Sequence, residues 1–213
     1  MMIRSLTYSD RLQQETLFRQ MFRGRARTFS ERLGWNVKVE QGMECDRYDG
    51  LPTVRYLIAT DAAERVVGSL RLLPTTGETM LRNEFAAYFG ELSGLEGPGT
   101  WECTRFCTHP RAGDSSHAGA AISAELLITL CQFAMDFGIE RIVGVYEAPM
   151  VRVYRRIGWC PRGIARNHSE AGDLRVGVWD VSRIALQSMK KAQMNALGGP
   201  IVVPHMARAV GEL

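Results

Sequence analysis

The first apolar pattern lies in RLQQETLFRQMFRGRAR, where Leu12, Leu17, Phe18, Met21 and Phe22 form one stripe and predict a helix over 11–27. Ser9 or Asp10 can cap it, and Gly24 weakens its end. NVKVE (36–40) turns to a short strand, and the polar GMECDRYDGLP (42–52) reads as a loop. VRYLIAT (54–60) and RVVGSLRLLP (65–74) read as strands joined by the acidic turn DAAE. Residues 76–100 mix short helical patterns with Gly97, Pro98 and Gly99. TWECTRFCTHP (100–110) alternates as a strand and stops at Pro110. The strongest helix is AGAAISAELLITLCQFAMDF (118–137), closed by Gly138. RIVGVYE (141–147) is a buried strand, and APMVRVYRRIGW is a short amphipathic helix closed by Gly158. LRVGVWDV (174–181) is a further strand, and SRIALQSMKKAQMNAL (182–197) a helix with Ser182 as its cap. Strands and helices interleave without repeats, which predicts one α/β domain over residues 1–213.

Composition bounds this picture without naming a function. With 213 residues, 46% apolar and 23% charged, the chain can bury a core and is neither disordered nor fibrous. No run of about 18 apolar residues suggests a membrane span, and Arg4 and Asp10 interrupt the start before a signal peptide could form. Cys45, Cys103, Cys107, Cys131 and Cys160 make an odd count without CxxC spacing. A disulfide framework or zinc site is not expected, and a reducing cytoplasm is the default. Cys103 and Cys107 face one side of a regular strand and suit apolar packing better than metal binding. His109, His117, His168 and His205 sit in no ligand or triad pattern, and no GxSxG, P-loop or GxGxxG occurs.

A net charge of +3 is too mild to argue for nucleic acid, but its distribution is uneven. Residues 1–32 carry seven Arg against Asp10, Glu15 and Glu31. Residues 40–110 carry eleven acids and six Arg, and residues 141–166 carry six Arg and one Glu. All basic residues but Lys38, Lys190 and Lys191 are Arg, the fork that grips carboxylate and phosphate in fixed geometry. The last block predicts an acidic partner.

Three clusters hold candidate chemistry. Glu44, Asp46 and Asp49 crowd into six residues, which suits a metal, a base or a cationic ligand, although such loops are commonly just solvated turns. In WECTRF, alternation places Glu102, Thr104 and Phe106 on one face and Trp101, Cys103 and Arg105 on the other. Glu102 then needs a partner, and Arg71 in SLRLLP is a candidate. In RARTFSERLGW, Arg25, Phe29 and Trp35 combine a guanidinium with two aromatic faces, fit for a ligand carrying a carboxylate and a cationic centre.

Taken in order, these stretches resemble the acyl-homoserine-lactone synthases, the autoinducer synthases of bacterial quorum sensing. The matching residues are Arg25 and Phe29 with ERLGW ending at Trp35, Glu44–Asp46–Asp49, VVGSLRLLPTTG with Arg71, MLRNEF with Phe85, and the Trp101–Phe106 segment. The match is strong over about residues 1–110 and fades beyond.

The resemblance implies a three-layer α/β/α sandwich of the N-acetyltransferase type around a mixed sheet. It implies that the chain acylates the amine of S-adenosylmethionine from acyl carrier protein, or in a minority of relatives from acyl-coenzyme A. Lactonisation then expels methylthioadenosine. S-adenosylmethionine is a substrate, and neither a prosthetic group nor a metal is implied. By resemblance Glu102 is the base that frees the amine, with Glu44 and Asp46 as rivals, and Arg71 pairs with Glu102 and holds it ionised. Asp46, Asp49, Phe29 and Trp35 would face the sulfonium, with Phe106 beside them, and Arg25 or Arg105 would take the substrate carboxylate.

Backbone N–H groups near Thr104–Phe106 would hold the oxyanion, in a splayed gap between strands 100–107 and 141–147. Phe85, Thr104 and Gly144 would line the acyl and pantetheine pocket, with Met80, Met135 and Met150 as further wall candidates. Arg152, Arg155 and Arg156 would dock the acidic carrier. Two departures stand out: Thr104 replaces a frequent Ser, and Gly144 lies where relatives making 3-oxo products carry a Thr. The second favours unsubstituted or 3-hydroxy chains. The alternative is an ordinary coenzyme A-dependent N-acyltransferase of the same fold, whose pyrophosphate loop PRAGDSSHAG does not reproduce. A non-catalytic domain with a basic surface is the reading from another class.

Overall fold

The computed structural model describes residues 1–110, 113, 117–169 and 172–197. His205 and half of the PRAGDSSHAG stretch lie outside them. The strands are β1 (Met2–Thr7), β2 (Val39–Glu40), β3 (Met43–Glu44), β4 (Arg55–Thr60), β5 (Val66–Pro74), β6 (Thr100–Thr108), β7 (Arg141–Glu147), β8 (Arg162–Ser169) and β9 (Gly172–Asp180). The helices are α1 (Glu15–Arg25), α2 (Ala86–Phe89), α3 (Ala118–Asp136), α4 (Met150–Ile157) and α5 (Arg183–Leu197). Seven strands form one sheet in the order β1-β4-β5-β6-β7-β9-β8, and β2 and β3 form a small ribbon. All neighbours in the large sheet run antiparallel except β6 and β7.

Alternation along the central strands sends side chains to two cores. Leu57, Leu70 and Leu72 meet Leu126, Leu130 and Phe133 of α3, with α4 and α5 completing that layer. Tyr56, Ile58 and Leu73 meet Phe18, Met21 and Phe22 of α1 on the other face, and Val143, Val176 and Val178 meet Leu81 and Leu95. The result is the α/β/α sandwich expected. Helix α3 has the length and apolarity of a membrane-spanning segment, but Leu126, Leu130, Cys131 and Ala134 on it are fully buried in the core.

Four local expectations change. The helix expected over 11–27 starts as a 3₁₀ turn at Tyr8–Arg11 and does not end at Gly24; it runs on as a π-helix over Ala26–Arg32. Gly24 instead lets the His109 ring pack on the backbone, since a Cβ there would lie 2.3 Å from its Nε2. The acidic loop contains β3 and a 3₁₀ turn at Arg47–Gly50. The edge strands β1 and β8 are additional to the sequence pattern. Finally, β6 is not a regular strand. Arg71 faces Thr104 and Ser69 faces Cys107, so Leu70 lies opposite two residues, and Arg105 takes φ +52°.

Candidate active site

The bulge in β6 rearranges the expected faces. Arg105 turns to the α1 side with Glu102 and Thr104, while Phe106 packs with Trp101 and Cys103 on the α3 side. Cys107 stays on the α1 side, its Sγ 3.7 Å from Ser69 Oγ and from His109 Nε2. Cys103 and Cys107 therefore face opposite ways. Burial pushes the Cys103 thiol up to about 12 and Cys107 up to about 11.

The three acids of the loop are not free. Arg25, from the last turn of α1, holds Glu44 through Nε and Asp49 through Nη1 and Nη2 at 2.8 and 2.9 Å. Arg71 reaches Asp46 at 2.9 Å, Asp49 at 3.0 Å and Thr104 Oγ1 at 2.9 Å. Arg105 reaches Glu44 Oε1 at 3.0 Å and Asp46 Oδ2 at 2.9 Å. Three guanidinium groups thus balance three carboxylates. The 3₁₀ turn supports this lattice, because Asp46 accepts from Tyr48 N and Asp49 accepts from Asp46 N and Tyr56 Oη. Burial alone would raise the Asp49 carboxyl, but Arg25 and Arg71 beside it hold it well below the usual range.

Two expectations are corrected here. Arg71 does not pair with Glu102; its ion pairs go to Asp46 and Asp49. Arg25, Glu44 and Asp49 are about 1% exposed and spend their polar atoms on one another and on Arg71, Arg105, Tyr56 and the Asp46 backbone, so they frame the site from behind.

Glu102 is fully buried and accepts the backbone N–H groups of Met80 and Leu81, both at 2.8 Å. Burial raises its carboxyl to about 7 against the opposing pull of the two N–H groups and Arg71. It stands on the wall of two cavities. One, of about 330 Å³, runs past Thr75, Thr79, Arg82 and Leu95. The other, of about 320 Å³, is lined by Phe29, Trp35, Phe85, Glu102, Thr104, Arg105, Phe106 and Gly144, together with Met80 and Met150. Met135 is not on that wall; it packs against the core.

The second cavity exists because β6 and β7 pair only over Thr100–Glu102 with Arg141–Val143 and then separate. Gly144 lets β7 pass close to β6 where the two strands begin to part, since a Cβ there would lie 3.1 Å from the Cys103 carbonyl oxygen. At the mouth, Trp35 stacks on Phe29 with centroids 5.0 Å apart, and Arg105 lies over the Phe29 ring. The Trp35 indole N–H donates to Glu147 at 3.1 Å.

Several contributors escape the sequence reading. Tyr146, Tyr154, Trp159 and Trp179 build an aromatic end to the cavity. The clustered aromatics of VYRRIGW and GVWDV were the available signal. His109 is half-buried, 3.2 Å from Thr28 Oγ1 in the π-helix, and its desolvation, helped by Arg27 and Arg32, lowers its pKa to about 4. Arg152, Arg155 and Arg156 are all exposed on α4, with Arg156 on the rim of a third cavity of about 440 Å³ between α3, α4 and α5. Among the described residues, no group of three or more His, Cys, Asp or Glu is arranged to hold a metal ion.

This geometry has relatives. The family described as autoinducer synthase matches residues 9–183. An acyl-homoserine-lactone synthase of Rhizobium etli is 50% identical over 181 residues, covering 85% of each chain. The solved structure of a coenzyme A-dependent acyl-homoserine-lactone synthase, BjaI, with S-adenosylmethionine and isopentyl-coenzyme A superposes with a TM-score of 0.76 at 25% identity, over 97% of this chain and 94% of that one. An acyl-coenzyme A N-acyltransferase of Pseudomonas aeruginosa shares the fold at a TM-score of 0.56 and 15% identity, over 84% and 99%. The sandwich is thus of the N-acetyltransferase type.

Proposed function

The chain belongs to the acyl-homoserine-lactone synthase family of acyltransferases, and we propose on that footing that it joins an acyl group to S-adenosylmethionine in the cavity beside Glu102. The observation that carries this reading is Glu102 itself: a buried carboxylate titrating at about 7 on the wall of a cavity opened by the β6–β7 splay.

A carboxyl poised near neutral pH matches the need of the first step, since the methionine amine must lose a proton before it can attack. Glu102 takes that proton directly or through a water. The amine nitrogen bonds to the thioester carbon, and the C–S bond breaks to release the donor's thiol. The substrate carboxylate then bonds to the carbon next to the sulfonium, and the C–S⁺ bond breaks to release methylthioadenosine.

The binding roles follow from which groups line the cavity. Phe29 and Trp35 offer aromatic faces to the sulfonium. Arg105 is the one lattice guanidinium on the wall, so it is the group assigned to the substrate carboxylate. Asp46 keeps 18% of its side-chain surface exposed, against 1% for Glu44 and 0% for Asp49, so it is the loop acid left to meet a cationic ligand. Beyond Glu102, β6 has no ladder partner on its β7 side, which leaves backbone N–H groups near Thr104–Phe106 for the oxyanion.

Acyl carrier protein is the donor favoured by the exposed Arg152, Arg155 and Arg156. Acyl-coenzyme A is the second reading, supported by the likeness to BjaI, which is coenzyme A-dependent. The whole of residues 1–213 acts as one domain, and five free cysteines suit a reducing cytoplasm. The test is to incubate purified protein with S-adenosylmethionine and a panel of acyl-carrier-protein and acyl-coenzyme A donors, following methylthioadenosine and product mass together. Release of both with one donor class supports the reading and names the donor; release of neither with any donor overturns it.

A further inference from the structure

The segment that caps Glu102 is tied down from two sides. Thr79, Met80 and Leu81 form the partition between the two cavities that meet at Glu102, since Thr79 and Leu81 line the first and Met80 the second. The Met80 and Leu81 N–H groups take one Glu102 oxygen each, and Asn83 N and Phe85 N fold the chain back onto the Met80 carbonyl at 3.2 and 3.0 Å. On one side the Met80 thioether lies 3.2 Å from Arg71 Nη2 and 3.3 Å from Arg105 Nη1. On the other, the Tyr48 hydroxyl accepts from Asn83 Nδ2 at 3.1 Å and from Arg47 Nη2 at 2.8 Å. Its one proton goes to the Glu84 carboxylate, which it contacts, or to the Thr79 carbonyl at 3.2 Å.

Tyr48 sits in the 3₁₀ turn between Asp46 and Asp49, is about 1% exposed, and has Arg71 over its ring at 5.3 Å. The lattice of arginines and carboxylates thus fixes Tyr48, and the phenol reaches from there to the capping segment. We propose that Tyr48 is a positioning residue for the reaction: its hydroxyl clasps the Thr79–Glu84 segment so that the Met80 and Leu81 N–H groups stay on the Glu102 carboxylate. This rests on the synthase reading above. The two N–H groups favour the ionised form, so a loosened segment leaves burial less opposed and Glu102 harder to ionise. Of the charged groups around it, Arg71 from β5 also favours the ionised form and Glu84 from the segment opposes it. Asp46 and Arg105 offset each other in an ion pair. The Cys103 thiol and the Tyr48 phenol are both pushed up to about 12, mainly by burial, and stay neutral near pH 7.

The test is the pH profile of methylthioadenosine release in wild type, Tyr48→Phe and Asn83→Ala, with folding established by circular dichroism. Tyr48→Phe keeps the buried ring and removes the clasp, and Asn83→Ala cuts it at an exposed position. Both should move the midpoint of the rate upward from near 7 by about one pH unit, so that kcat falls about fivefold at pH 7 and rejoins wild type by about pH 9. Glu84→Gln removes the opposing charge and should leave the midpoint at or below that of wild type. Guanidinium unfolding reads the same carboxyl without turnover. Between pH 4.5 and about 9, stability should fall further in Tyr48→Phe than in wild type, because a higher folded pKa widens the window in which the fold keeps its proton. An unmoved midpoint, with or without loss of activity, assigns Tyr48 to the scaffold alone and overturns the proposal. A midpoint that moves down, or a rise that Glu84→Gln reproduces, overturns it as well. Absence of methylthioadenosine in wild type with every donor would instead defeat the synthase reading, and the unfolding profiles would still decide for or against the clasp.

Discussion

Replacing Glu102 by Gln separates its proton from its shape. The folded carboxyl titrates at about 7, against 4.5 for an ordinary Glu, with burial as the main cause. Ionising it therefore costs about 3 kcal/mol more in the fold than in the unfolded chain. Between pH 4.5 and about 7 the fold keeps a proton that the unfolded chain has shed, so wild-type stability falls as pH rises through that window. Gln has no charge to bury and lacks this slope. Its amide oxygen can accept from Met80 or Leu81, but its NH2 meets the other N–H donor, at a cost on the order of 1–3 kcal/mol. Glu102→Gln should thus be the less stable protein at pH 4.5 and gain on wild type by about 3 kcal/mol by pH 8, measured by guanidinium unfolding at both values. Turnover should fall about 10²–10⁴-fold in the same protein, and the wild-type rise in rate centred near pH 7 should vanish from the methylthioadenosine assay. Parallel stability profiles, or a variant keeping more than a tenth of wild-type activity with the same pH rise, would refute the reasoning.

Three other expectations follow from the same geometry. Arg71→Met leaves Asp46 and Asp49 short of a partner inside the fold and should cost about 3–5 kcal/mol by chemical denaturation; a loss under about 1 kcal/mol would show that the lattice is not held together by its charges. Arg155→Glu with Arg156→Glu should raise KM for an acyl-carrier-protein donor and its salt dependence while leaving the chain's fold intact by circular dichroism, and an unchanged KM would remove α4 as the dock. Gly144→Ala puts a methyl 3.1 Å from the Cys103 carbonyl oxygen and on the cavity wall, so it should strain the β6–β7 approach and raise KM for acyl donors more than for S-adenosylmethionine; the reverse order would count against the gap as the donor's path.

Much of the sandwich was legible in the chain because its central elements are strongly periodic. β4, β5, β6, β7, β9, α3, α4 and α5 bury one stripe or both faces, and burial writes the apolar pattern directly. The edge strands β1 and β8 have a single neighbour and mixed or polar residues, so MIRSLT and RGIARNHS carry little of that signal. The π-helix was obscured by Gly24, which reads as a helix end until His109 is seen packed against it.

The residue types of the site were set in the sequence: acids at 44, 46, 49 and 102, arginines at 25, 71 and 105, aromatics at 29 and 35. Their pairing was decided by tertiary structure. Alternation in β6 puts Arg105 and Glu102 on opposite faces, but one bulged residue at φ +52° returns Arg105 to the acids and leaves Arg71 on Asp46 and Asp49. A charge pairs with whatever opposite charge the folded backbone brings within a few ångströms, at any sequence separation. Glu102, left to two backbone N–H groups in a buried wall, is raised to about 7 by that burial, and burial is a property of the fold around a residue rather than of its neighbours in the chain.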